Sequence, residues 1–324
     1  MRIHVQNLPR DLHLAITPGQ WDAAVERAGE GGHEVSFTAD VEAGRAALAE
    51  AEALVGPKAA VRALFPADAP RLRLIFCTNA GLDGLEPFDW LPPGAALLNN
   101  RGIHAARAGE YAIMALLMLA SHVPAFVADQ RAERWEPRHG HVLAGRRLLV
   151  LGLGSLGGAA AERAALFGMR VTGIRANPRP HPACERVLGA DALDAALPEA
   201  EFLLLATPLT AATRGILDRR RVGLLPPGAG VVNVGRGALL DQDALCDALD
   251  AGRLGGAVLD VFTPEPVPPG HRLWATRNLV MTPHISADDP RTYNPLSLDL
   301  FWANVRAWRE GRPLPNRFDT ERGY

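Results

Sequence analysis

Leu148–Gly158 reads LLVLGLGSLGG, and an alanine-rich segment follows from Ala159 to Phe167. Four apolar residues run directly into Gly152-x-Gly154-x-x-Gly157. This order predicts a buried strand, a tight turn and a helix start. Glycine suits the first position because a side chain would obstruct the turn. It suits the second because backbone must approach a pyrophosphate, and the third because helix and strand pack closely. The helix N-terminus then offers free N–H groups and a partial positive charge to the phosphates, and Ser155, Leu156 and Gly157 are the expected cofactor contacts beside the glycines. The stretch therefore predicts a dinucleotide-binding α/β domain.

Buried runs continue on the C-terminal side at Arg170–Ile174, Glu201–Ala206, Gly230–Val234, Gly256–Asp260 and Asn278–Thr282. Helical spacing lies between them at Ala159–Phe167, Asp218–Leu224 and Asp241–Ala251. Helices are also predicted over Arg107–His122 and Phe126–Trp135. Before them, short strands at Ile3–Val5, Glu34–Phe37, Ala53–Val55, Leu72–Cys77 and Leu97–Asn99 alternate with helical segments. Strand–helix alternation twice over predicts two doubly wound parallel α/β domains, Rossmann-like or flavodoxin-like. One helix near Tyr293–Gly311 cannot make a domain and should return to the first one. The expected division is 1–99 plus 284–324 for a substrate-binding domain and 100–283 for the dinucleotide domain, with the active site in a cleft between them.

Composition narrows the function. The chain has 324 residues and a formal net charge of −2, which leaves no basic field for nucleic acid. The longest apolar stretch, Ala112–Ala120, is too short for a bilayer, and no secretory leader precedes it. Cys77, Cys184 and Cys246 are widely separated, which suits a reducing cytoplasm. His139 and His141 are the one close histidine pair, so no metal site is expected.

Three polar stations follow buried runs: Asn233–Gly237, Asp260–Pro266 and Thr282–Ser286. All should open on one edge of the sheet. Arg236 can pair with a carboxylate and polarise the adjacent carbonyl. His284 can give that carbonyl oxygen a proton, and Glu265 can hold the other imidazole nitrogen. That equipment suits reduction of a 2-oxo acid.

The motifs LVLGLGSLGG, ATPLTAATRGIL, VVNVGRGALLDQDALCDAL, GRLGGAVLDVFTPEPVP and NLVMTPHIS together resemble the D-isomer-specific 2-hydroxyacid dehydrogenase family. The N-terminal part resembles it through NAGLDGL. The resemblance implies an oxidoreductase with Arg236 as substrate ligand, Glu265 as the histidine-orienting acid and His284 as proton donor. It implies substrate contact at Ala80 and Gly81, and a cofactor path along Thr207, Pro208, Val234 and Gly235. It places Asp260 against the nicotinamide carboxamide, and it implies a homodimer through the 107–122 helix. The closest type is the glyoxylate/hydroxypyruvate reductases, which act on a small 2-oxo acid. Two alternatives remain at this level: a dinucleotide-binding sensor or corepressor, and a dehydrogenase for a bulkier D-2-hydroxy acid.

The strand Val171–Ile174 runs into Arg175, with Asn177 and Arg179 beyond and no carboxylate until Glu185. An NAD site commonly places an acid here for the ribose 2′-hydroxyl; arginine pairs with a 2′-phosphate instead. NADP(H) is therefore the preferred cofactor expected, with NAD(H) possible. Asn79 and the acidic pair Asp288-Asp289 depart from the family pattern.

Overall fold

A computed structural model describes residues 1–9 and 14–323. The chain divides into two compact units, Met1–Ile103 with Asp289–Tyr324, and His104–Asp288.

In the first unit the elements run β1 (Arg2–Gln6), α1 (Pro18–Ala28), β2 (Glu34–Thr38), α2 (Val41–Leu48), β3 (Ala53–Gly56), α3 (Lys58–Leu64), β4 (Leu74–Cys77) and β5 (Ala96–Leu98). All strands pair in parallel in the order β2-β1-β3-β4-β5, the flavodoxin-like arrangement. Local signals set the helix ends. Thr17 and Gln20 form a capping box on α1, Gly29 closes it at φ 66°, and the Asp40 side chain caps α2. A terminal helix, Tyr293–Arg309, buries Leu298, Phe301, Trp302 and Val305 in the same core as Ile3, Val5, Val55 and Phe76. The unusual Asn79 has a structural use: its Oδ1 accepts the Lys58 N–H at 2.7 Å and so caps α3.

The second unit holds α4 (Ala105–Ala120), α5 (Val123–Arg131), β6 (Arg147–Leu151), α6 (Ser155–Leu166), β7 (Arg170–Ile174), β8 (Arg186–Leu188), α7 (Leu193–Ala196), β9 (Phe202–Leu205), α8 (Arg219–Leu224), β10 (Gly230–Asn233), α9 (Gln242–Asp250), β11 (Gly256–Leu259) and β12 (Leu279–Met281). Its seven strands are all parallel, in the order β12-β11-β10-β9-β6-β7-β8. The order reverses between β6 and β9, the switch point where such sheets bind ligands. Separate apolar clusters fill the two faces of the sheet.

Several elements depart from the sequence reading. Helix α6 starts at Ser155 rather than Ala159, because Gly157 and Gly158, poor helix formers, are buried in its first turn. Helix α5 starts three residues before Phe126, with proline in its first turn, and stops at Arg131, leaving Trp135 97% exposed beyond it. Strand β8 was not expected: it is three residues long, on the sheet edge, and too short to show a period. No single described helix is long and apolar enough to cross a membrane.

Candidate active site

The glycine turn is built as its spacing requires. Gly152 lies at φ +96°, and its N–H donates to the Ile174 carbonyl at 2.8 Å. A Cβ at Gly157 would sit 1.8 Å from the Gly152 carbonyl oxygen, so β6 and α6 meet there only without a side chain. Gly154 is exposed, with open space where a Cβ would be. No side chain caps α6, so the N–H groups of Ser155, Leu156 and Gly157 are left for a ligand. Across the turn, the Thr207 hydroxyl is buried with no protein partner. An orphaned hydroxyl beside an uncapped helix start fits a dinucleotide pyrophosphate. Gly157→Ala is expected to weaken dinucleotide affinity at least about tenfold through this clash, read by NADPH fluorescence titration with circular dichroism as the folding control.

At the end of β7, the Arg175 N–H donates to the Leu188 carbonyl, and Arg179 is exposed. Among the described residues, neither guanidinium makes an ion pair. The nearest acid in sequence, Glu185, is held by Arg170 at 3.1 Å. No carboxylate is thus offered to a ribose hydroxyl from this loop.

Strands β10, β11 and β12 are parallel neighbours, with Asn233 level with Leu259 and Leu259 level with Met281. The loops carrying Arg236, Glu265 and His284 therefore leave the same sheet edge. Asn233, buried at the end of β10, shapes the first loop: its Oδ1 accepts the Gly235 N–H and its Nδ2 donates to the Arg236 carbonyl, both at 3.0 Å. The half-buried Arg236 guanidinium donates from Nη1 to the Gly235 carbonyl at 2.8 Å. A Cβ at Gly237 would lie 2.0 Å from the Phe262 carbonyl carbon, so the first two loops touch through glycine.

His284 Nδ1 lies 2.8 Å from Glu265 Oε2, and Glu265 Oε1 accepts the Phe262 N–H at 2.7 Å. Glu265 is thus anchored to its own loop while it holds the imidazole. An ionised carboxylate on Nδ1 selects the tautomer that donates there, leaving Nε2 for a reacting oxygen. The pair borders an open cavity of about 540 Å³ whose wall includes Phe262, Val267, Trp274 and Met281.

Asp260, expected against the nicotinamide, shapes the loop that carries His284. It is fully buried. Its Oδ1 accepts from the Thr282 hydroxyl at 2.6 Å and the Ile285 N–H at 2.9 Å, and its Oδ2 accepts the Ser286 N–H at 2.9 Å. A carboxylate with these partners helps build the loop that carries His284, because a buried charge is kept by charge-assisted hydrogen bonds from its own chain. Val234 is buried and Pro208 exposed. Ala80 and Gly81 belong to the first unit, where Asn99 Nδ2 donates to the Ala80 carbonyl at 2.8 Å. Asn233 and Thr282 stand in the polar stations read from the sequence but carry no assigned role there, and Tyr111 carries none. Their signal is a buried polar contact, which spacing does not reveal. Among the described residues, no three histidine, cysteine or acidic side chains gather as a metal site.

Comparison with known proteins supports the dinucleotide-binding reading of the second unit. Residues 113–286 match the family model for the D-isomer specific 2-hydroxyacid dehydrogenase, NAD binding domain. Glyoxylate/hydroxypyruvate reductase A of Serratia proteamaculans is 31% identical over 261 residues, covering 78% of this chain and 82% of that protein. The crystal structure of a D-isomer specific 2-hydroxyacid dehydrogenase from Xanthobacter autotrophicus Py2, in complex with NADPH and MES, superposes with a TM-score of 0.84 at 29% identity, covering 100% of this chain and 99% of that one. The NADPH-dependent glyoxylate/hydroxypyruvate reductase of Sinorhizobium meliloti, in complex with NADP and sulfate, gives 0.83 at 27% identity, covering 100% and 99%.

Proposed function

The chain belongs to the D-isomer specific 2-hydroxyacid dehydrogenase family, and on that premise we propose that it reduces a small 2-oxo acid to the D-2-hydroxy acid with NADPH. The observation that carries the reading is the Glu265–His284 pair on the sheet edge that also carries Arg236. NADPH supplies the hydride to the carbonyl carbon. His284 delivers a proton from Nε2 to the carbonyl oxygen, and Glu265 faces the imidazolium before that transfer. Arg236 binds the carboxylate in a forked geometry and draws charge onto the carbonyl oxygen. Thr207, Ser155, Leu156 and Gly157 hold the pyrophosphate, and Arg175 with Arg179 takes the 2′-phosphate. The relatives named as glyoxylate/hydroxypyruvate reductases support a substrate of that size. A homodimer through α4 accords with the exposed Met114 and Leu117 on α4 and Phe126 and Val127 on α5.

Glyoxylate, hydroxypyruvate, pyruvate and phenylpyruvate, each with NADPH, test the activity; absence of NADPH oxidation across the panel overturns it. The cofactor assignment is tested separately. Wild-type kcat/KM is expected to favour NADPH over NADH by about tenfold to a hundredfold, the worth of a charge-assisted phosphate contact. Arg175→Asp is expected to remove or reverse that preference. Equal use of both cofactors by the wild type would sink the assignment to Arg175.

A further inference from the structure

We propose that α4 positions the proton-donor histidine, with Tyr111 as the positioning residue acting through Thr282 and Asp260; the inference rests on the role of His284 given above. His284 lies at φ +57°, a left-handed conformation that a residue with a Cβ disfavours, so the loop must be held there. Its N–H donates to the carbonyls of Asp260 at 2.9 Å and Thr282 at 3.0 Å. The next two N–H groups, of Ile285 and Ser286, donate to the Asp260 carboxylate. The loop's shape therefore depends on how that carboxylate is aimed.

The aim is set from α4. Asp260 accepts, so the Thr282 hydroxyl must donate to it across 2.6 Å. Thr282 in turn accepts from the Tyr111 hydroxyl, also at 2.6 Å. The proton order runs one way, from Tyr111 through Thr282 to Asp260. Tyr111 is buried, and burial pushes its phenol up to about 12, so it stays a neutral donor throughout ordinary working pH. His104, the N-cap residue of α4, stands two turns before Tyr111 on the same face, and its Nδ1 lies 3.2 Å from the Ala287 carbonyl. Burial lowers the pKa of His104, which favours a neutral ring that donates from Nδ1. One helix thus grips segment 282–287 at both ends.

The same helix lies against α6. A Cβ at Gly109 would meet the Ala159 carbonyl oxygen at 3.1 Å and Arg163 Cγ at 3.2 Å. The helix that offers its N-terminus to the dinucleotide and the loop that carries His284 are therefore referenced to a common element. The buried Tyr111 ring would pack equally well as phenylalanine, so the hydroxyl is the atom that separates positioning from packing.

The test begins with hydrogen exchange, which needs no turnover. In Tyr111→Phe, the amides of 284–286 are expected to exchange about tenfold faster, with the rest of the second unit unchanged. Turnover should fall about three- to tenfold, while KM for NADPH moves less than about twofold. Thr282→Val should behave alike, Thr282→Ser should recover most of that loss, and Tyr111→Phe combined with Thr282→Val should be no slower than Thr282→Val alone, because both break one chain of contacts. Unchanged exchange at 284–286 in Tyr111→Phe overturns the proposal. So does loosening throughout the unit with a parallel rise in KM for NADPH, which marks a packing role. If the wild type reduces no 2-oxo acid, the activity reading falls, and the exchange result still decides whether α4 holds the loop.

Discussion

His284→Asn is expected to lower kcat about a thousandfold while leaving NADPH affinity within about twofold. Asparagine is the informative replacement because it tolerates the left-handed backbone at this position better than alanine does. The main-chain bonds from residue 284 to the carbonyls of Asp260 and Thr282 can then persist. What disappears is the imidazole, and with it the group able to donate from Nε2 while Nδ1 engages Glu265. An amide can hydrogen-bond the carbonyl oxygen but cannot hand it a proton, so the hydride step would leave an unprotonated alkoxide. General acid catalysis contributes about a hundredfold to ten-thousandfold, which sets the scale. The contacts proposed for the dinucleotide, at the glycine turn, Thr207, Arg175 and Arg179, do not include His284. The measurement pairs steady-state turnover with an NADPH fluorescence titration. Turnover near the wild-type rate would remove His284 from the chemistry, and lost NADPH binding would show that the substitution had disturbed more than the imidazole.

What sequence revealed follows from how local each signal is. Strand β6, its glycine turn and the parallel strands after it are contiguous patterns of burial and conformation, and the two α/β sheets are present as expected. The helix starts at Asp218 and Asp241 were equally visible, and in the structure each of those side chains caps its helix. Elements without a local mark were not. Strand β8 is three residues on an edge, and the start of α6 is disguised by glycines serving close packing. The candidate site divides in the same way. Arg236, Glu265 and His284 stand in distinctive short motifs, and the structure brings Glu265 and His284 to 2.8 Å. The groups that support them are long-range partners: Tyr111 meets Thr282 across 171 positions. Asp260 shows what a motif leaves out: its carboxylate is fully buried and accepts three hydrogen bonds from the segment that carries His284, partners that the motif does not name.

Arg236→Ala is expected to reduce kcat/KM for the 2-oxo acid by about two-thousandfold to twenty-thousandfold, with the loss divided between KM and kcat. A forked guanidinium–carboxylate pair contributes about 1.5 to 3 kcal/mol to binding, which appears in KM. Charge placed where the carbonyl oxygen becomes negative is worth about 3 kcal/mol more in the transition state, which appears in kcat. Lysine separates the two contributions. It restores a positive charge but not the planar fork, so Arg236→Lys should recover part of kcat and little of KM. The Asn233 side chain holds the backbone of this loop through two bonds and the guanidinium adds one, to the Gly235 carbonyl, so most of the loop's anchoring survives either substitution. Oxamate, a non-reducible analogue of a 2-oxo acid, supplies a binding readout without turnover: its inhibition constant should rise in both variants, and more in alanine than in lysine. If oxamate binds Arg236→Ala as tightly as the wild type, the carboxylate is held elsewhere. Arg236 would then act on the carbonyl alone.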